Sequence, residues 1–559
     1  MLIRKRTRPR RVFAGIVSMV FILLLAVGQC SAASAEASSK TPVPSKWGYE
    51  NFRDYMPDLR SQGKYGACWA VSAIALAEIN LGRQGKIIKP NLSEVQLAYF
   101  FYNWQTDPLG GTEGDANRGN FGPGENYLQA GGDLTYAGLV LATWTGVAME
   151  EGVLKYPPDE GPIQDPIDPK YAYEGVARLR DCYLVIPDPY DSGSMQEAKG
   201  LIMETGALGI HYNAPDGLGQ EYNAKTNAFY DPLPADNNHA VTIVGWDDHF
   251  SKDNFIIHPP RDGAWLIRNS WATGPYEQNQ KYEGYFWMSY YNASLQERAA
   301  AYVFDTADRY DNNYQYDGGI YNDSLDIPRD TCYTANVFRT KAANYEDLMA
   351  ASFYSETIGG DYTIQVYVSD SPMGANPESG TLKAVKTGKI PHKGYHTVDL
   401  DSPVELKRGQ YFSIVLTIHN GNEDTVNIAR ERSSYDSDRF TQTTVAIQPG
   451  QSFFRIDDQK WEDIYNPKNT KGNLRIKAFT KNKSAPPTPS PTPTLTPTPT
   501  PTPALTPTPT PTPEPTQTPP ATPAPTSIPK TGDNAPLDLW LAMILLGTIC
   551  LTLALRRSR

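Results

Sequence analysis

Cys68 heads an apolar run, Ala70 to Leu81, with Trp69 after it and Gln62-Gly63-Lys64-Tyr65-Gly66-Ala67 before it. A cysteine that opens a helix meets backbone N–H groups and the positive end of the helix dipole, and both favour thiolate over thiol. An ordinary cysteine has a pKa of about 8.5, and such surroundings can bring it to roughly 3.5–7.5. The chemistry open to this sulfur is nucleophilic attack. That requires a base to take its proton and a third group to orient the base. The chain holds seven histidines. His239 opens the run Ala240-Val241-Thr242-Ile243-Val244-Gly245-Trp246, and further on Trp265-Leu266-Ile267-Arg268 leads into Asn269-Ser270-Trp271. Taken singly these segments say little, since a lone buried cysteine is usually a small core hydrophobe.

The elements around them divide into two folded regions. Apolar periodicity predicts helices over Ala70–Leu81, Ser93–Tyr102 and Asp133–Thr145, followed by strands over Ala240–Trp246, Ala264–Asn269 and Gly284–Tyr290. Helices first and antiparallel strands second make an α+β domain. From about Phe304 the pattern changes. Tyr362–Val368, Tyr411–Ile418 and Leu474–Phe479 alternate, with Gly, Pro, Asn and Asp between them, which predicts an all-β sandwich. After Lys483 the chain turns to Pro-Thr repeats that cannot bury a core. This stalk should be disordered in the sense of an extended polyproline spacer, reaching on the order of 136 Å over residues 484–527.

Three segments in the order Gln, Cys, His, Asn, each with its flanking residues, resemble the papain-like cysteine peptidase family. The resemblance implies a two-lobed catalytic domain over residues 36–303. It assigns Cys68 as nucleophile, His239 as its acid–base partner in a thiolate–imidazolium pair, and Asn269 as the group that fixes the His239 ring. Gln62 and the Cys68 N–H would form the oxyanion hole, and Trp271 would shield the His–Asn bond. Gly131 and Gly132 match the pair that hydrogen-bonds an extended substrate, and Ala240 matches a residue lining the subsite next to the scissile bond. The region over residues 304–483 resembles the lectin-like domain that follows the peptidase in some secreted clostridial cysteine proteases, making a glycan a candidate ligand.

The departures from the family matter too. Tyr65 stands where a second cysteine is usual, so the common disulfide beside the site is absent. His239 and Asn269 follow Cys68 by about 171 and 201 residues, against the roughly 130–150 typical of the family. Insertions near Asn103–Asn126 and Pro215–Asn237 read as surface loops that could narrow the cleft. Too few residues separate Ala35 from Trp47 for an inhibitory propeptide, so activity is expected without removal of an N-terminal domain.

Both ends read as processing signals. Residues 1–35 carry a basic start, an apolar core at Val12–Gly28 and an Ala33-Ser34-Ala35 cleavage site, as in an export signal. Over residues 528–559, Ile528-Pro529-Lys530-Thr531-Gly532, an apolar tail and a basic end resemble the sorting signal of Gram-positive surface proteins. There a sortase cuts between Thr531 and Gly532 and joins the chain to peptidoglycan, after the tail has held it at the membrane as a transient transmembrane anchor. Losing six basic residues with the leader, and three basic and two acidic residues beyond Thr531, takes the formal charge from −11 to about −18, which argues against nucleic acid as a partner.

Cys68, Cys182 and Cys332 are the cysteines left, and Cys182 and Cys332 could bridge. No histidine–cysteine–carboxylate spacing suits a metal, no cofactor is expected, and the Asp/Asn run Tyr310–Tyr316 reads as a solvated loop. The expected function is hydrolysis of peptide bonds in extracellular proteins or peptides at a Gram-positive cell wall. Two other readings are an adhesin acting through the sandwich and a peptidoglycan hydrolase.

Overall fold

In the computed structural model, residues 42–484 are described apart from 120, 122–124, 159–160, 215–218, 272–283, 296–297, 422–424, 437–440 and 466–470. They belong to one compact unit. The export signal, the Pro/Thr stalk and the sorting residues Ile528, Pro529, Thr531 and Gly532 lie outside the described residues. Among the described residues no helix is long and apolar enough to cross a membrane.

The helix Cys68–Arg83 is mostly apolar, and Trp69 through Gly82 are all buried. Such a helix belongs inside a core, and this one packs against the strands His239–Asp247 and Ala299–Thr306 and the helix Leu134–Ala142. Two further helices begin where side chains replace missing backbone partners. Ser93 Oγ accepts from Gln96 N at 3.0 Å, and Asp133 accepts from Thr135 N at 2.7 Å and Tyr136 N at 3.1 Å. The second ends at Ala142, short of the expected Thr145, because the Thr143 hydroxyl takes the Val140 carbonyl at 2.6 Å and Trp144 turns to a φ of 74°. The helix Ser192–Thr205, capped by Asp191, had no expectation in the sequence.

Strands dominate the rest. One sheet of thirteen strands includes Ala177–Val185, Ala299–Thr306, Leu208–Tyr212, His239–Asp247, Ala264–Arg268 and Tyr285–Ser289 in that spatial order. It does not stop at the expected end of the catalytic region. Lys393–Tyr395 pairs with Leu184–Cys182, so sandwich strands continue the same sheet. A second, six-stranded sheet, with Thr331–Arg339, Tyr411–His419 and Asp361–Ser369 at its centre, closes the sandwich over a core that includes Phe338, Phe353, Phe412, Leu416 and Ile476.

Three expectations are corrected. The Asn103–Asn126 insertion is not a free surface loop: Ala116–Gly119 pairs with Thr441–Thr444 of the sandwich. Its buried Asp115 accepts from Gly318 N at 2.9 Å and Ala446 N at 2.7 Å. In the Pro215–Asn237 insertion, Tyr222, Phe229 and Tyr230 are buried, and Ala228–Phe229 pairs with Trp287–Met288. The Tyr310–Tyr316 run holds the strand Asn312–Tyr314, with Asn313, Tyr314 and Gln315 buried. The bridge that Cys182 and Cys332 left open does not form: both are free thiols.

Candidate active site

Cys68 is the first residue of its helix. The N-cap, Ala67, has no side chain able to cap, and the first turn contains no acidic residue. The first amides are therefore left for another acceptor. The N–H groups of Ala240, Trp69 and Cys68 itself face the Cys68 sulfur. Ala240 follows His239 directly, so the head of the helix meets the start of the histidine strand.

His239 is buried, and its Nε2 lies 2.9 Å from Asn269 Oδ1. That oxygen also accepts from Ser270 N at 2.8 Å. A backbone N–H can only donate, so the Asn269 amide presents its oxygen and Nε2 must carry the proton. Nδ1 is left as the ring nitrogen able to accept one. The Trp271 ring lies over the imidazole with centroids 4.2 Å apart and planes 18° from parallel, and Tyr212 meets it edge-on at 5.7 Å.

Gln62 is buried beside these groups. Its Nε2 donates to Tyr65 O at 2.8 Å and its Oε1 accepts from Ser270 Oγ at 2.6 Å, while Gln62 N donates to Ser270 O at 2.8 Å. Ser270 thus ties Gln62 to Asn269, a role the sequence reading did not give it. Two arginines do similar work. Arg268 donates to Pro57 O and Asp58 O, and Arg60 reaches Leu92 O at 2.6 Å and pairs with Glu78 and Glu94. Both hold the segment that ends at Gln62. Where the family has a disulfide, Tyr65 is buried, its ring edge-on to Tyr156 at 6.0 Å.

Gly131 has a φ of +75°, favourable to glycine, and its carbonyl accepts from Tyr102 Oη at 2.6 Å. A Cβ on Gly132 would stand 2.3 Å from the Trp69 ring, so packing on the helix already requires glycine there. Ala240 is fully buried.

Burial pushes the Cys68 thiol up, outweighing the three N–H groups that pull it down. Dehydration of the anion thus opposes the pull of the helix head on an isolated Cys68. Burial likewise holds His239 down to about 4, with the Asn269 bond acting in the opposite sense. Each group by itself therefore favours its neutral form. One prediction follows for the pH dependence of kcat/KM. Protonation of His239 removes the base, so activity should fall as pH drops through about 4, far below the roughly 6.5 of a free histidine. The alkaline limb should lie above the ordinary thiol value, because losing the proton shared by Cys68 and His239 creates an unbalanced buried anion. Initial rates across pH 3–10 measure both limbs, and an acid limb near 6.5 would show that His239 does not titrate as placed here.

Among the described residues no group of histidine, cysteine and carboxylate side chains could hold a metal ion. Comparison with known proteins agrees with the architecture. Residues 313–480 match the family model described as a lectin like domain. The chain is 25% identical over 240 residues to cathepsin S of Bos taurus, covering 43% of this chain and 58% of that protein's length. Two solved structures are similar across both regions. One is the clostridial cysteine protease Cwp84 after propeptide cleavage, with 24% identity, a TM-score of 0.61, and coverage of 79% of this chain and 100% of that one. The other is the cysteine protease and lectin-like domains of Cwp84, a surface layer associated protein of Clostridium difficile, with 24% identity, a TM-score of 0.60, and coverage of 79% and 90%. The chain therefore has the fold of a papain-like cysteine protease joined to a lectin-like domain.

Proposed function

We propose that this chain is a cell-wall-anchored cysteine peptidase that hydrolyses peptide bonds in extracellular proteins or peptides. The observation that carries the reading is the 2.9 Å bond between His239 and Asn269 beneath Trp271, with Ala240 N–H on the Cys68 sulfur at the head of a buried helix. In this mechanism His239 Nδ1 takes the thiol proton as Cys68 Sγ bonds to the scissile carbonyl carbon. The carbonyl π electrons move to oxygen, where the Cys68 N–H and a Gln62 Nε2 hydrogen stabilise the charge. His239 then gives its proton to the leaving amine as the C–N bond breaks, which leaves a thioester. Water, deprotonated by His239, attacks the thioester and restores the thiol. The ion pair of thiolate and imidazolium forms along this path because each charge stabilises the other where burial opposes either one by itself. Gly131 and Gly132 pair with the substrate backbone, and Ala240 and Trp271 border the subsites.

The Ile528-Pro529-Lys530-Thr531-Gly532 segment, apolar tail and basic end support attachment to peptidoglycan by a sortase in a Gram-positive bacterium. A second reading, an adhesin, is favoured by the lectin-like match over residues 313–480, and the two are compatible in one chain. Incubating the region Glu36–Lys483 with a peptide library, casein and purified cell wall, with and without a thiol alkylator, tests the chemistry. Peptide and casein cleavage that the alkylator abolishes is the expected result. Digestion of wall without cleavage of peptides would replace this reading by wall hydrolysis.

A further inference from the structure

A cleft of about 440 Å³ opens where the sandwich meets the catalytic sheet, a size in the range of small-ligand sites. The buried Tyr354 and Ala429 line it. One wall comes from the paired strands Asn322–Ile327 and Val426–Arg432, which present Asn322, Asp323, Ser324 and Asn427. Amide, carboxylate and hydroxyl groups of this kind suit the adjacent hydroxyls of a sugar.

The charges around the cleft cancel in pairs, with one exception. Arg298 holds Glu356 through two bonds at 3.0 and 2.9 Å. Asp323 accepts from Arg430 at 2.8 Å. Lys393 also lines the cleft and is half-buried, and among the described residues its ammonium has no hydrogen-bond or ion-pair partner. Its backbone is fixed: Lys393 pairs with Leu184 at the seam, and the next residue, Gly394, has a φ of +118°. A Cβ on Gly394 would fall 2.0 Å from Cys182 O, so only glycine lets the two domains' strands approach this closely. A positioned cation without a counter-charge among the described residues, set among sugar-suited polar groups, calls for an anionic ligand.

We propose that this cleft binds an anionic saccharide, with Lys393 meeting its carboxylate or phosphodiester and Asn322 and Asn427 meeting its hydroxyls; this rests on the reading of the sandwich as a glycan-binding domain. Arg298 lies just before the strand Ala299–Thr306 of the catalytic region and Lys393 opens the sandwich strand Lys393–Lys407, so a bound sugar touches both regions and would hold the peptidase close to an acidic polymer.

The test uses the full chain, titrated with a hexuronate-containing oligosaccharide, a phosphodiester-linked sugar polymer and a neutral oligosaccharide of the same length. Binding of an anionic member, weakened by added salt, is expected, and the arm that binds names the source of the ligand. Lys393→Ala should weaken it by about tenfold or more, Lys393→Arg should largely retain it, and peptide hydrolysis should be unchanged in both, which shows the variants are folded. Equal binding of the neutral sugar, or anionic binding that ignores Lys393→Ala, overturns the assignment of this cleft while leaving a glycan-binding sandwich in place. Failure of all three ligands overturns the inference and removes its support for the glycan reading as well.

Discussion

Replacing Cys68 with alanine will abolish peptide hydrolysis, with a fall in kcat on the order of 10⁴–10⁶. The size follows from the site's division of labour. His239 is oriented by Asn269 at 2.9 Å and shielded by Trp271 whether or not a nucleophile is present, so the variant keeps a positioned base with nothing to activate. Folding should change little. Cys68 is half-buried at the end of its helix, its side chain packs at the border of the core, and alanine keeps the helical backbone. A change within about 1 kcal/mol is expected from denaturant unfolding. Saccharide binding, carried by groups at the seam, should persist in the same variant. Burst-free hydrolysis within tenfold of the unmodified enzyme would falsify the assignment of Cys68 as nucleophile.

Gln62→Ala has the next largest effect, and the structure changes what is expected of it. An oxyanion-hole donor with no other contacts would matter to rate and hardly at all to folding. The rate effect stands on the oxyanion argument: one donor removed costs about 2.7–4 kcal/mol in the transition state, or 10²–10³ in kcat, with KM little altered. Yet Gln62 is buried, donates to Tyr65 O at 2.8 Å and accepts from Ser270 Oγ at 2.6 Å. Alanine leaves both partners unpaired in a dry site, so about 1–3 kcal/mol of stability should be lost as well. Gln62→Glu separates the two roles. It keeps an oxygen for Ser270 but turns a lone pair towards Tyr65 O and towards the developing oxyanion. The kcat loss should therefore match or exceed that of alanine. Single-turnover rates and urea midpoints measured on both variants decide the matter, and a kcat loss below tenfold in Gln62→Ala would place the oxyanion hole elsewhere.

The fused sheet gives these sites a mechanical context. Lys393–Tyr395 pairs with Leu184–Cys182, and Ala116–Gly119 pairs with Thr441–Thr444, so the two regions share hydrogen-bonded strands at two separate places. Asp115, reaching from the catalytic insertion to Gly318 N and Ala446 N, adds a buried tie between them. A chain built this way carries its sandwich at a fixed position relative to Cys68 and His239, so a ligand held at the seam would set where that site faces.

Much of the site was legible in the residues themselves, for a reason particular to each segment. Ala70–Leu81 is a long, mostly apolar run, which specifies a core helix and puts Cys68 at its head. Ala240–Trp246 and Ala264–Asn269 are short buried runs that read as strands, and both formed within a residue of the expected ends. Alternation located Tyr362–Val368 and Tyr411–Ile418 equally well. What stayed hidden depended on partners distant in the chain. Ser270, Arg60 and Arg268 gain their roles from groups that lie remote in sequence, and nothing local announces them. The insertions carry Gly, Pro and Asn and so resemble loops, because composition reports local preference whereas strand pairing is settled by whichever edge the fold brings alongside. The surroundings of Cys68 and His239 were hidden for the same reason. A helix head is visible in the sequence, but the burial that pushes the Cys68 thiol up and holds His239 down is not.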